Sequence, residues 1–234
     1  MSFAELDFLR HADVEIEARF TNSSNTTLLV TLSLGEETRY AVYKPESGER
    51  PLWDFPPGLW RREVAAYVLD QALGLGLVPP TISREDLPLG PGSLQVFVDE
   101  DEEAHFFTLH DDPTHVDTLK RLAVFDVIAN NSDRKSGHVL LTPEGIAAID
   151  HGLCFHQDEK LRTVIWDYAG DPIDERFLAE LRQLSTALPT ELQELLSPAE
   201  IGSLVTRIQD LVEFASLPYP NEDGDYPPYP WPLI

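Results

Sequence analysis

Three charged side chains in this 234-residue sequence stand where a polyphosphate could be handled. Lys44 ends the alternating stretch RYAVYKP (39–45), where its ammonium can act as a point charge toward phosphate oxygens. Asp133 lies in the polar loop NNSDRKSGH (130–138). Asp150 closes the apolar stretch IAAID (146–150), with Gly152 two residues on. An apolar strand ending in Asp-X-Gly exposes one carboxylate at a fixed point, and two such carboxylates facing one cleft suit Mg²⁺, which takes oxygen ligands. Phosphoryl transfer asks little more of a protein. It needs a cation on the α/β-phosphates, carboxylates for the metal and a residue beside the attacking oxygen. Lys44, Asp150 and Asp133 answer those needs in turn. Glu63, at the opening of the helical stretch RREVAAY, is the natural carboxylate to fix Lys44. Each residue also has a plainer reading: an edge-strand charge, a helix-start acid favoured by the macrodipole, and turn-forming aspartates.

The elements that would position these groups are legible from periodicity. VEIEARF (14–20), TLLVTLSL (27–34) and RYAVYKP (39–45) alternate like half-buried strands, and TNSSNT (21–26) joins the first two. The backbone N–H groups and hydroxyls of that loop could cradle phosphate, although no Gly-X-Gly or Walker pattern is present. A Pro- and Trp-rich loop (46–60) leads to a predicted helix over 61–76, with Val64, Ala65, Val68 and Ala72 on one stripe and Gly74 as its cap. SLQVFVD (93–99) reads as a strand. The acidic segment 100–117 reads as a connection, with its histidines at neither helical nor alternating spacing. DTLKRLAVFDVIAN (117–130) reads as a helix. HVLLT and IAAID form a hairpin across PEG (143–145). From Asp171 onward the pattern is helical, and the Pro/Tyr-rich tail LPYPNEDGDYPPYPWPLI is extended, disordered or wrapped over the body. The expectation is one α+β domain over 1–234. It has a β-rich N-lobe (about 1–98), a mainly helical C-lobe (about 99–216), a tail (217–234) and a cleft near 93–117.

Composition limits the partners. Hydrophobic residues make up 42% of the chain, enough for a core, and the net charge is −24 from 41 acidic and 17 basic residues. That balance opposes nucleic acid and anionic lipid, both of which need clustered Lys and Arg. No apolar run reaches a membrane span, and the N-terminus lacks the basic start and apolar stretch of a signal peptide, so a cytoplasmic location is expected. The single cysteine, Cys154, sits in an apolar run and is expected to be buried and inert. No Gly-X-Ser-X-Gly or His-Glu-X-X-His pattern supports a hydrolase.

The stretches AVYKP, REVAAYVLDQALGLGLVPPT, NNSDRKSGH and AIDHGLCF, in that order over about residues 20–170, resemble the phosphatidylinositol 3-/4-kinase superfamily. They are most similar to its type II phosphatidylinositol 4-kinases and to a group of bacterial proteins related to these kinases. The resemblance implies a two-lobed protein-kinase-like fold binding ATP with Mg²⁺, or with Mn²⁺. It implies Lys44 on the phosphates with Glu63 holding it, and Ser23, Ser24 and Asn25 over the phosphates. It further implies Phe97, Val98 and Asp99 as the hinge against adenine, Asp133 as the catalytic-loop aspartate and Asp150 as the main metal ligand. One departure falls at His138, where the family pattern has a metal-binding asparagine, and imidazole suits Mg²⁺ less well than an amide oxygen. Asn130 or Asn131 substitutes, or the second metal is weak, or His138 itself binds a metal such as Mn²⁺. The acceptor is unknown, with a protein or small molecule favoured over a lipid. The alternatives are a nucleotide-binding pseudokinase that docks a protein partner, for example through the tail, an AMP transferase on the same fold, and a plain structural protein.

Overall fold

The computed structural model describes residues 3–21, 23–224 and 226–234. Asn22, in the polar loop read as a phosphate cradle, and Asp225, in the tail, lie outside the described residues, as do Met1 and Ser2. Strands β1 (Asp13–Arg19), β2 (Leu28–Leu34), β3 (Glu37–Pro45), β4 (Thr81–Arg84) and β5 (Gly92–Val96) form an antiparallel sheet in the order β1-β2-β3-β5-β4. The alternation of β2 buries Leu28, Val30 and Leu32 beside Ala41 and Tyr43 of β3 and Leu94 of β5. Helix α1 (Phe3–His11) covers this face with Phe8 and Leu9. Neither α1 nor β4 is apparent from periodicity: each is short, and β4 follows directly on Pro79 and Pro80.

Helix α2 spans Leu59–Leu73 between two glycines in the left-handed region, Gly58 (φ 93°) and Gly74 (φ 62°); the Gly74 N–H donates to the carbonyls of Asp70 and Gln71. The expected stripe is only half right. Val64 and Ala65 are buried, but Val68 is half-buried and Ala72 is exposed, while Leu69 and Leu73 are buried. The reason is packing on several sides. Eleven of the fifteen residues of α2 are buried, because the helix lies between the sheet and the helical lobe. A helix enclosed in this way shows no clean amphipathic stripe.

The chain leaves the sheet after Val96, three residues before the expected strand end. The Phe97 N–H donates to the Tyr40 carbonyl at 3.2 Å, and the Asp101 N–H donates to the Leu141 carbonyl of the second lobe at 2.9 Å. Residues 97–101 therefore cross between the lobes. The second lobe holds α3 (Phe106–Leu109), α4 (Val116–Ala129), the hairpin β6 (Val139–Thr142) and β7 (Gly145–Ala148), then α5 (Glu175–Thr186), α6 (Thr190–Leu195) and α7 (Pro198–Phe214). Its core joins Leu122, Phe125 and Ile128 of α4 to Leu181, Leu204 and Ile208, and takes in Ala65, Leu69 and Leu73 of α2. The tail wraps over the body. The Pro228 carbonyl accepts from the Thr163 N–H and the Trp166 indole, and the Leu233 carbonyl accepts from the Ser136 N–H. Among the described residues, no helix is long and apolar enough to cross a membrane.

Asp70 closes α2 by accepting the Leu77 N–H at 2.8 Å, and its burial pushes its carboxyl up to about 6. A raised carboxylate pKa favours the folded state fully below the unfolded value, and the advantage is lost as pH rises through about 6. The unfolding free energy of wild type relative to Asp70→Asn should therefore fall by about 2–3 kcal/mol between pH 4 and pH 7. Urea denaturation of both proteins at the two pH values checks this.

Candidate active site

Lys44, Glu63 and Asp150 meet where one end of the sheet, the first turns of α2 and the segment after β7 come together. Lys44, next to last in β3, pairs with Ser93 of β5, which fixes its backbone inside the sheet. Its ammonium donates to Glu63 Oε1 at 2.5 Å and to Asp150 Oδ1 at 2.8 Å. Glu63 is the fifth residue of α2, since the helix begins at Leu59 and not at Arg61. It is only 3% exposed, which removes its reading as a helix-start acid in water. Its second oxygen accepts the His151 backbone N–H at 2.9 Å. Asp150 follows β7 in the left-handed region (φ 60°), a conformation uncommon outside glycine, asparagine and aspartate. Its side chain remains about half exposed.

The charges support one another. Burial works against the Lys44 ammonium, but Asp150 and Glu63 outweigh it and hold the lysine charged above its ordinary range. Lys44 in turn holds the Asp150 carboxyl far below the carboxylate range, against its desolvation. Burial raises Asp133, the Lys135 ammonium at 3.0 Å partly offsets this, and the charge of Asp150 raises it further.

Beneath the cleft is a buried network that the sequence reading missed. Arg134 is fully buried and donates through Nε and Nη2 to the equally buried Asp126 of α4, at 2.9 Å for each. Its Nη1 donates to the Ile149 carbonyl at 2.8 Å, and its Nη2 lies 2.8 Å from His151 Nε2. One guanidinium thus ties the loop of Asp133 to the segment carrying Asp150. A signal for this existed: an acid inside the apolar helical run VFDVIAN, with an arginine eight residues on.

The asparagines are committed elsewhere. Asn130, in the left-handed region, donates to the carbonyls of His156 and Asp158 and accepts the Lys160 N–H. Asn131 donates to Asp126 and accepts the Asp133 N–H. Both are fully buried inside the loop, with their amide oxygens already accepting backbone N–H groups. His138 lies beside Asp150, with Nε2 at 3.4 Å from Oδ2. Burial lowers its pKa to about 4, so the ring is neutral at pH 7. Its Nδ1 accepts a long hydrogen bond from the Lys135 N–H at 3.4 Å. The neutral imidazole thus stands beside Asp150, the carboxylate expected to hold the metal. Among the described residues, no three His, Cys, Asp or Glu side chains converge as a metal cage. The donor set fits Mg²⁺ bound through a few protein carboxylates with phosphate and water completing its shell, the usual manner for that ion.

The remaining predicted residues divide. Phe97, Val98 and Asp99 lie in the crossing between the lobes, with Val98 half-buried and the other two exposed. Asn25 accepts the Arg50 N–H at 2.9 Å, and the Ser23 and Thr27 hydroxyls hydrogen-bond at 2.8 Å. The structure gives Asn25 a part in holding its own loop against residues 48–50. Ser24 is exposed. Cys154 is fully buried, and burial raises its thiol well above the ordinary value.

A five-stranded antiparallel sheet over a helical lobe, with an extended crossing between them, is a two-lobed kinase-like α+β fold. The chain belongs to the family of Protein Rv2133c of Mycobacterium tuberculosis. It is 40% identical to that protein over 265 aligned positions, covering 97% of this chain and 94% of the relative. It is 29% identical over 145 residues to phosphatidylinositol 4-kinase gamma 4 of Oryza sativa subsp. japonica, covering 53% of this chain and 25% of the rice protein. The solved structure of hydra Fam20 with sugar shares the fold, with a TM-score of 0.57, 15% identity, and coverage of 91% of this chain and 89% of that one. No family model matches the sequence.

Asp126→Asn should destabilise the protein by about 3–5 kcal/mol, because it leaves the Arg134 charge buried without a counter-charge. Urea unfolding of the variant measures the loss; a change below about 1 kcal/mol would show that the pair does not hold the loop.

Proposed function

We propose that this chain is an ATP-dependent phosphotransferase with a hydroxyl-bearing acceptor. The observation that carries the reading is the Lys44 ammonium held between Glu63 and Asp150 by three separate elements. An ammonium bridging two carboxylates, with about a fifth of its side chain exposed, can meet an anionic ligand. Mg²⁺-ATP, or Mn²⁺-ATP, would supply the phosphoryl group, with Asp150 as the carboxylate holding the metal. Lys44 neutralises phosphate charge and Glu63 keeps Lys44 in position. Asp133, whose basicity is raised by burial, takes up or orients the proton of the acceptor hydroxyl. Residues 97–99 line the adenine side, and Ser23, Ser24 and Asn25 lie over the phosphates, where Asn25 acts by shaping its loop. We read the whole chain as one domain, with lobes of about 1–98 and 99–216 and a tail from 217. The helical core that takes in α2 supports this reading.

The acceptor is a small molecule or protein in preference to a lipid or nucleic acid. The net charge of −24 disfavours both polyanions. The other three lysines, Lys120, Lys135 and Lys160, are each paired with an aspartate and form no basic cluster. A second reading is a catalytically weak nucleotide-binding module, favoured by the occupied amides of Asn130 and Asn131 and by His138 in place of asparagine.

Paired incubations with γ- and α-labelled ATP, offering the protein itself, cell extract and phosphoinositides, separate these readings. Label from the γ position alone supports phosphotransfer. Label from the α position alone means AMP transfer, and binding without transfer in any pool means a pseudokinase. His138→Asn should raise Mg²⁺-supported turnover, since an amide oxygen suits Mg²⁺ better than imidazole does. A loss of turnover would show that His138 has its own role.

A further inference from the structure

Glu63 can serve Lys44 only if α2 keeps its place and its rotation. Successive helix residues point about 100° apart, so fixing one side chain sets the direction of the next. Arg62, immediately before Glu63, is 4% exposed and points into the helical lobe. Its Nη1 donates to the Cys154 carbonyl at 2.6 Å, and its Nη2 forms an ion pair with Glu200 at the start of α7. Glu200 is itself fixed. It is the third residue of α7, its carboxylate accepts the Ser197 N–H at 2.8 Å, and the Ser197 hydroxyl accepts the Glu200 N–H in return. The guanidinium also lies 5.3 Å from the centre of the Phe55 ring.

The loop entering α2 is held to the same region. Phe55 meets His156 edge-on at 5.0 Å, and the Lys160 ammonium donates to Asp54 at 3.0 Å. Cys154, His156 and Lys160 all belong to the segment that follows Asp150. The loop and first turns of α2 are therefore fastened to the stretch that positions the metal-binding carboxylate.

We propose that Arg62 and Glu200 form a positioning latch. It fixes the rotation of α2, so that the Lys44–Glu63 contact is made on folding and needs no activating partner or modification. This rests on the reading of Lys44 and Glu63 as a nucleotide site. A turn of roughly 20° about the axis would carry a side-chain end about 6 Å from that axis through about 2 Å, enough to break the 2.5 Å contact. A buried ion pair adds little net stability compared with an apolar pair of similar size, so its value here lies in position.

The test is a double-mutant cycle on Mg-ATP affinity, using the full chain. Arg62→Met with Glu200→Gln removes both charges and keeps the capping residue of α7. The expected result is a fold retained, with a urea midpoint close to wild type, and Mg-ATP affinity weakened roughly five- to tenfold. In a Lys44→Met background the same pair of changes should alter affinity less than about twofold, because the latch acts through Glu63 on Lys44. An equal loss in both backgrounds, or wild-type affinity in the latch variant, overturns the proposal while leaving the nucleotide site intact. Absence of nucleotide binding in the wild type overturns the site and the latch together. Should the double variant not fold, Arg62→Lys, which keeps the charge but cannot span Cys154 and Glu200, is carried through the same cycle with the same criteria.

Discussion

The Lys44 ammonium sits where about a fifth of its side chain meets water, between a buried glutamate and a half-exposed aspartate. Its charge survives there because both carboxylates are close, and the Asp150 carboxylate stays ionised chiefly because the lysine is close. The three residues come from the sheet, from α2 and from the end of the hairpin. A displacement of any of these elements leaves a charge without its partner, at greatest cost where Glu63 is buried. The surrounding architecture can be read as a set of devices for meeting that constraint.

Two buried arginines carry most of that burden. Arg134 binds Asp126 and reaches His151 and the Ile149 carbonyl, which sets the Asp133 loop and the Asp150 segment relative to each other. Arg62 joins α2 to the Cys154 carbonyl and Glu200. The His151 backbone links the two systems, since its N–H reaches Glu63 while its ring meets Arg134. The lobes thus meet through buried charge as well as through the apolar core.

How much of this was legible follows from how local each signal is. Lys44 and Asp150 were visible because an isolated charge ending an apolar strand is conspicuous, and Asp133 because it follows a clear amphipathic helix. Glu63 was placed at a helix start because the Trp- and Pro-rich approach hides the first two residues of α2. The hairpin and the Gly74 cap were readable from turn chemistry. α1 and β4 were not, being short and packed by contacts distant in sequence. Asn130 and Asn131 look like free polar loop residues until burial shows them bonded within the loop. The Arg62–Glu200 pair spans 138 residues, and no spacing rule reaches that far. His138 beside Asp150 is a middle case: the departure at that position is plain from the sequence, while its placement against the carboxylate depends on the fold.

The claim that Lys44, Glu63 and Asp150 form a nucleotide site is tested most directly by thermal unfolding with and without Mg-ATP. A ligand bound only by the native state stabilises it by RT ln(1 + [L]/Kd), about 1.4 kcal/mol at ten times Kd. For a chain of this size that is a rise of a few degrees in Tm. The wild type should show such a rise with Mg-ATP or Mn-ATP, and Asp150→Ala should show none. An unchanged Tm for the wild type at millimolar Mg-ATP, or an equal rise in both proteins, would contradict it.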